Sequence, residues 1–111
     1  MIVTPAPRVA GYEIVETLGL VRGNTIRARH IGRDIMAVLK NLVGGEIEEY
    51  TKMMAEAREQ AIDRMVENAV EPGANAITDV RFTTAYVMGS TAEILAFGNA
   101  VIIQPIQAAG R

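Results

Sequence analysis

The sequence predicts an α+β domain: a small antiparallel or mixed sheet with a short and a long helix on one face, in the order strand(s)-helix-helix-strand-strand. Between positions 46 and 70, apolar residues recur every three or four positions, as in an amphipathic helix. Segments rich in β-branched residues flank this region, and glycine and proline pairs separate the elements. The length of 111 residues fits one domain, residues 1–111.

The first quarter of the chain predicts an arm followed by strand structure. Residues 1–11 contain two prolines and a glycine, which suits a loosely held arm or an edge segment. Residues 12–28 predict either one bent strand or two strands around a turn at Gly23-Asn24. At the other end of the chain, we expect residues 104–111 to be loosely held.

Two helices are expected next. The short one spans Arg33 to Val43, where Asp34 can cap the free amides and Gly44-Gly45 ends the helix. The long one runs from about Glu46 to Val70 and stops before a Pro-Gly pair. Its apolar stripe is rich in alanine and methionine, so it can lie close to a sheet: Tyr50, Met54, Ala57, Ala61, Ile62, Met65, Val66, Ala69 and Val70.

Two strands end the predicted fold. The first, Ala76 to Val87, is expected to alternate, with Ala76, Thr78 and Val80 on one side and Asp79 and Arg81 on the other. A turn at residues 88–90 leads to the second, residues 91–103, whose apolar residues on both sides predict a central position. Within it, Gly98 indicates a bulge or a close approach, and a proline at position 105 ends the ladder.

The composition favours self-association. Apolar residues make up 50% of the chain but aromatic residues only 5%, and there are 16 alanines, so the core is built from small side chains. Mean hydropathy is +0.17, which is high for such a small domain. We therefore expect another copy of the chain to cover part of the apolar surface, giving a homo-oligomer.

Charge and cysteine content exclude several classes of protein. A net charge of -2 gives no general attraction to nucleic acid or to an anionic membrane. Without cysteine there can be no disulfide, thiolate metal ligand or cysteine nucleophile. The start of the chain lacks the pattern of a signal peptide, and no apolar run is long enough to span a bilayer. A soluble, cytoplasmic protein is the expectation.

The strongest candidate for ligand binding is the arginine-rich segment before the short helix. The candidate residues in this segment are Arg29, His30, Arg33 and Asp34. Arginine side chains and the free amides at a helix start both favour anions. Three interpretations remain open: a small anionic ligand, the acidic helix of a neighbouring copy, or an ordinary solvated surface. No metal site is predicted, since a lone histidine beside arginines supplies one ligand in a repulsive field. The cofactor is unknown.

No catalytic residues are predicted. Glu56 and Glu59 fall on the solvent stripe of the long helix, whereas acid-base catalysis needs a desolvated carboxylate. Ser90 fits a hairpin turn, and the helical spacing of the methionines indicates core packing. The alternative is an enzyme whose site is assembled between subunits, where His30 and Glu46 would be the proton carriers.

Several short motifs together resemble the YbjQ-like family of proteins of unknown function, which carries a heavy-metal-binding label. The motifs are Gly32-Arg33-Asp34, Asn41-Leu42-Val43-Gly44-Gly45-Glu46, Tyr50-Thr51, Ala57-Arg58, Arg64-Met65, Gly73-Ala74-Asn75-Ala76-Ile77 and Gly98-Asn99-Ala100-Val101. The resemblance covers Tyr12 to Ile103 and implies an α+β fold that forms a ring, a homopentamer able to stack into a decamer. The function expected is that of a non-enzymatic, ring-forming module that binds a small anionic ligand, a metal or a protein partner.

Overall fold

The structure, a computed structural model, describes residues 1–27, 45–87 and 91–107. Within these ranges one helix packs on a four-stranded sheet whose strand order is β1-β3-β4-β2. The elements are β1 (Ile2–Val3), β2 (Tyr12–Arg27), α1 (Gly45–Val70), β3 (Ala76–Val87) and β4 (Thr91–Pro105). β1 runs parallel to β3, and the other pairs are antiparallel, so the predicted α+β class with a mixed sheet is confirmed. The predicted short helix at 33–43 lies outside the described residues.

Helix α1 matches the predicted long helix to within one residue at its start. Its buried stripe repeats every four residues and faces the sheet: Ala57, Ala61, Met65 and Ala69. The helix ends as expected, because Gly73 adopts a φ of 99° and its amide donates to the Val70 carbonyl at 3.0 Å. The apolar period and the Pro-Gly stop therefore fixed both the length and the orientation of this element.

Gly23 lies where α1 crosses β2. Of the two alternatives predicted for this region, the single strand is confirmed and the turn at Gly23-Asn24 is wrong. β2 continues through this position as one strand. A Cβ atom on Gly23 would overlap backbone atoms of Ala61 and Met65, so only glycine lets the helix backbone approach so closely. Next to it, the buried Thr25 hydroxyl donates to the Ala57 carbonyl at 3.3 Å. A Gly-Asn pair is typical of a turn, but here the glycine is needed because a side chain would keep the α1 backbone from packing on β2.

A bulge at Asp79 reverses the predicted alternation in β3. Asp79 has a φ of 55°, and the register with β4 shifts at this point. As a result, Ile77 and Val80 both join the core beneath α1, while Ala76 packs in a smaller cluster with residues of the last strand. The prediction that Ala76, Thr78 and Val80 share one side is therefore wrong, because one extra residue separates them.

β4 is the central strand, as its two apolar faces predicted. Ile94, Ala96 and Ala100 contribute to the core under α1, and Val101 is buried in the smaller cluster. The close approach predicted at Gly98 is confirmed: a Cβ there would lie 2.8 Å from both the Ile77 side chain and the Thr78 carbonyl oxygen.

The N-terminal segment forms a sheet edge. β1 pairs with β3, and the chain continues alongside it: Thr4 donates to the Ile77 carbonyl at 3.0 Å and accepts from the Val80 amide at 3.1 Å. An edge segment was one of the two alternatives expected for residues 1–11. How tightly residues 1–11 and 104–111 are held stays a prediction.

Candidate functional site

The four candidate ligand residues, Arg29, His30, Arg33 and Asp34, lie outside the described residues, as does Ser90. Glu46 belongs to the first turn of α1. Their roles therefore stay predictions. The described residues place polar or exposed apolar groups at three other locations: the outer side of α1, the Asp79 bulge and the sheet edges.

The outer side of α1 carries a solvent-open hollow of about 460 Å³. Its lining residues are all exposed: Lys52, Ala55, Glu56, Glu59 and Gln60. General acid-base catalysis requires a desolvated carboxylate, and the carboxylates of this hollow lie in water. The expectation that Glu56 and Glu59 are solvated is confirmed.

A polar cluster surrounds the bulge in β3. The half-buried Asp79 carboxylate accepts hydrogen bonds from the Asn99 side-chain amide at 3.1 Å and the Thr78 hydroxyl at 3.2 Å. These bonds tie β3 to the central strand at the point where the register shifts. The sequence gives little signal of this cluster, beyond the fact that aspartate tolerates a positive φ better than most residues. Its groups satisfy one another, which is what a structural role requires.

The outer edge of β2 is covered over only part of its length. On α1, Arg64 donates to the Asn24 carbonyl at 2.6 Å, and Asn68 donates to the Arg22 carbonyl at 2.7 Å. These two side chains satisfy main-chain acceptors that face away from β4 and so block pairing with another strand there. In the rest of the described chain, no strand pairs with the outer edge of residues 12–20.

The outer edge of β3 is likewise covered over part of its length. The N-terminal segment pairs with it as far as Val80. Arg81 then closes this ladder, because its guanidinium donates to the carbonyls of Pro5 at 3.0 Å and Val80 at 2.9 Å. Beyond that point, residues 81–87 pair only with β4 among the residues that the structure describes.

Exposed apolar side chains are concentrated in the first half of β2, on the segment that the helix leaves uncovered. Tyr12, Ile14, Val15 and Leu20 are all exposed, and Leu20 retains 69% of its accessible surface. Phe82, at 45%, lies on the open part of β3. Sequence analysis predicted that apolar surface would be left over but not where, since this depends on how far α1 reaches along the sheet.

The protein is strongly elongated. Its principal extents are 65 × 27 × 16 Å and its radius of gyration is 18.1 Å. A compact domain of this length has a radius of gyration of about 13 Å. An elongated chain buries less of its own surface, which agrees with the apolar side chains left exposed on β2 and β3.

Comparison with known proteins identifies the family. The sequence model of the YbjQ-like family, described as "Putative heavy-metal-binding", matches residues 1–104. The chain belongs to the YbjQ-like family. It is 58% identical to a UPF0145 protein of Dehalococcoides mccartyi over 94% of this chain and 100% of that one. It is also 54% identical to a UPF0145 protein of Pyrococcus horikoshii, over 96% and 92% of the two chains.

A solved structure supports the fold. A protein of unknown function from Pediococcus pentosaceus, assigned to the DUF74 family, superposes with a TM-score of 0.61 and 18% identity, covering 94% of this chain and 98% of that one. At this identity the likeness concerns the fold alone. The resemblance inferred from the short motifs is thus confirmed at the level of family, and the YbjQ-like relatives carry no assigned activity in their names.

The heavy-metal description of the family does not fit the donor groups in the described part of the chain. Heavy metals favour thiolate and imidazole ligands, and the whole chain has no cysteine and one histidine. Within residues 1–27, 45–87 and 91–107, no three His, Cys, Asp or Glu side chains are close enough together to hold a metal ion. The expectation of no metal site remains a prediction for the chain as a whole.

Among the described residues, no helix is long and apolar enough to cross a membrane. The predicted cytoplasmic location stays a prediction.

Proposed function

We propose that this YbjQ-like chain is a non-enzymatic building block that joins copies of itself into a ring, and that surfaces between the copies bind a small anionic ligand, a metal or a protein partner. The observation that carries the proposal is the uncovered apolar half of β2, with Leu20 69% exposed. Exposed apolar side chains concentrated on one segment of a small domain are typical of an interaction site. The cytoplasmic location and the pentameric subunit number form part of the same proposal.

Burial of this surface would supply enough free energy to stabilise an assembly. Fully burying one Leu, Ile or Val side chain stabilises by about 1.5–3 kcal/mol. Tyr12, Ile14, Val15 and Leu20 each retain between 38% and 69% of their surface, so covering the remainder contributes about 1 kcal/mol per side chain. About 4 kcal/mol per contact, repeated around a ring, is comparable with the marginal stability of a small domain.

The anionic ligand is proposed from the arginine-rich stretch. Arg22 is exposed at the edge of β2, and Arg27, Arg29 and Arg33 follow it in the sequence. We assign Arg29 and Arg33 to charge and hydrogen-bond donation and Asp34 to capping the predicted short helix. Between subunits, such a segment could meet either a free anion or the acidic outer side of α1. The enzyme alternative, with His30 and Glu46, has no observation in its favour among the described residues.

The test is the mass of the assembly. Native mass spectrometry on protein purified without added metal reports the subunit number and any retained small molecule together. We expect a closed oligomer for the wild type and a shift to smaller species for Leu20→Glu. Val70→Glu is the matched control, since Val70 is also exposed, at 58%, but lies at the end of α1.

Two outcomes would count against the proposal. A compact, fully stable monomer of the wild type at low concentration would contradict self-assembly. Equal effects of Leu20→Glu and Val70→Glu would show that β2 is not the contact surface. Zinc or copper retained at one per chain would leave the proposed assembly standing but would overturn the prediction that the chain has no metal site.

A further inference from the structure

We propose that neighbouring copies join through two strand edges: the β3 edge at residues 81–87 of one copy pairs with the β2 edge at residues 12–20 of the next. This inference rests on the self-assembly proposed above and names the surfaces that carry it. The contact consists of main-chain hydrogen bonds between the two strands, with apolar side chains packed on either side.

The outer edges of β2 and β3 are each covered over only part of their length. On β2, the α1 side chains Arg64 and Asn68 occupy the carbonyls of Arg22 and Asn24, so this part of the edge is closed to another strand. On β3, the N-terminal segment occupies the edge as far as Val80. Among the described residues, no strand lies beside residues 12–20 of β2 or residues 81–87 of β3 on the side away from β4, and unpaired edge amides and carbonyls are ready to pair with another chain.

The two stretches are chemically complementary. Residues 12–20 contain two exposed acids, Glu13 and Glu16, and no base. Residues 81–87 contain one base, Arg81, and no acid. Opposite charges across a strand pair stabilise it, and like charges destabilise it. The exposed apolar side chains of β2 would also cover the exposed Phe82 ring.

Pairing of two identical edges, β2 with β2 or β3 with β3, agrees less well with the charges and the exposed apolar side chains. Two β2 edges would bring four acids together, and two β3 edges would leave the apolar half of β2 uncovered. The contact is therefore heterologous, using different surfaces on the two copies. A heterologous contact closes into a ring when the rotation between copies permits it and otherwise propagates as a filament.

Geometry keeps the two stretches apart within one copy. β2 and β3 lie on opposite sides of β4, where Thr17 is opposite Val101 and Thr84 is opposite Ile94. These two β4 positions are seven residues apart, which is about 23 Å along the strand at 3.3 Å per residue. A disulfide requires Cα atoms within about 7 Å, so cysteines at 17 and 84 can meet only between copies.

The chain has no cysteine, so it gives a clean background for cross-linking. The probes are Thr17→Cys and Thr84→Cys, both at exposed positions, combined in one chain and also made singly. Under mild oxidation, we expect the double variant to form a ladder of covalent oligomers that collapses on reduction. An equimolar mixture of the single variants should give covalent dimers only, and each single variant alone should give none.

The possible failures are separable. Self-linking of either single variant would show like-with-like pairing and overturn the inference. An intact oligomer in which the double variant forms no cross-link would also overturn it, while leaving the proposed self-assembly standing. A wild-type protein that is monomeric would contradict both the proposed self-assembly and the proposed edge pairing.

A second pair of variants tests the main-chain hydrogen bonds. The Val80 amide faces the outer edge of β3, where it donates to the Thr4 carbonyl. Because backbone amides alternate in direction along a strand, the amides of Phe82 and Thr84 face the same edge. Thr84→Pro removes such a donor without breaking the β4 ladder, because proline is tolerated on an edge. We expect Thr84→Pro to lower the oligomer mass while its circular dichroism stays that of the wild type. Thr84→Ala, which keeps the amide, should assemble normally, and equal assembly by the two variants would contradict edge pairing.

Discussion

Gly23→Ala is the substitution that tests most directly how α1 is seated on the sheet. The added Cβ would overlap backbone atoms of Ala61 and Met65 and would lie 2.8 Å from the carbonyl carbon of Arg64. Ordinary contacts of this kind are about 3.5–4.0 Å. All three contacts involve main-chain atoms, so no side-chain rotation relieves them, and the helix must move away from β2 by about 1 Å.

The cost follows from that movement. The stripe under the helix consists of Ala57, Ala61, Met65 and Ala69, which are at most 2% exposed and are too short to extend across a wider gap. A gap of 0.5–1 Å removes about a quarter to a half of the dispersion energy of each contact. Overpacking a core costs about 1–3 kcal/mol. Replacing a glycine whose φ is ordinary restricts the unfolded chain and so recovers about 0.4–1 kcal/mol. We therefore expect a net loss of about 1–2 kcal/mol in the free energy of unfolding.

The assay is urea unfolding followed by circular dichroism, repeated at several protein concentrations because assembly adds to apparent stability. Gly73→Ala is the matched control. Gly73 has open space around it but a φ of 99°, so alanine there costs about 1 kcal/mol from backbone strain alone. A Gly23→Ala protein within about 0.5 kcal/mol of wild type would refute the close helix-strand contact.

Two further predictions concern the covered edge and the bulge. Arg64→Ala exposes the Asn24 carbonyl on β2, so we expect a loss of about 1 kcal/mol or less in unfolding free energy and faster growth of light scattering on storage. If the Arg64→Ala protein scatters no more light than wild type on storage, then the β2 edge does not need Arg64 to prevent aggregation. Asp79→Gly should be more stable than Asp79→Ala by about 1 kcal/mol, because both lose the carboxylate but only alanine keeps the strain of a φ of 55°. Equal midpoints for this pair in urea would contradict the left-handed backbone.

The sequence predicted the elements that depend on local pattern. Helix α1 follows from its apolar period and its Pro-Gly stop, and the central place of β4 follows from apolar residues on both faces. The sequence left both a continuous strand and a turn open at Gly23, because glycine before asparagine has the same local signature whether the chain turns or another backbone comes close. The bulge at Asp79 depends on which residues of β4 lie opposite, and no local pattern contains that information.

The candidate surface was even less accessible to sequence reasoning. The exposed apolar half of β2 differs little in composition from a buried strand, since Ile14, Val15 and Leu20 would suit either. What leaves them exposed is the position of α1, which is seated farther along β2 at Gly23 and Thr25. Leftover apolar surface could be inferred from the total composition, but its location needed the crossing point of helix and strand.

The close contact at Gly23 links the core of one copy to the surface through which copies are proposed to join. Close contact at Gly23 holds α1 over the second half of β2, and the alanine stripe offers no long side chains to reach the first half. The helix does not reach both halves, which leaves residues 12–20 available for the proposed contact with another copy. Gly23→Ala should therefore weaken each copy without removing the surface that joins copies, because Leu20 and its neighbours stay in place. Retained oligomer mass in a destabilised Gly23→Ala protein, set against reduced mass in a stable Leu20→Glu protein, would separate these two functions of β2.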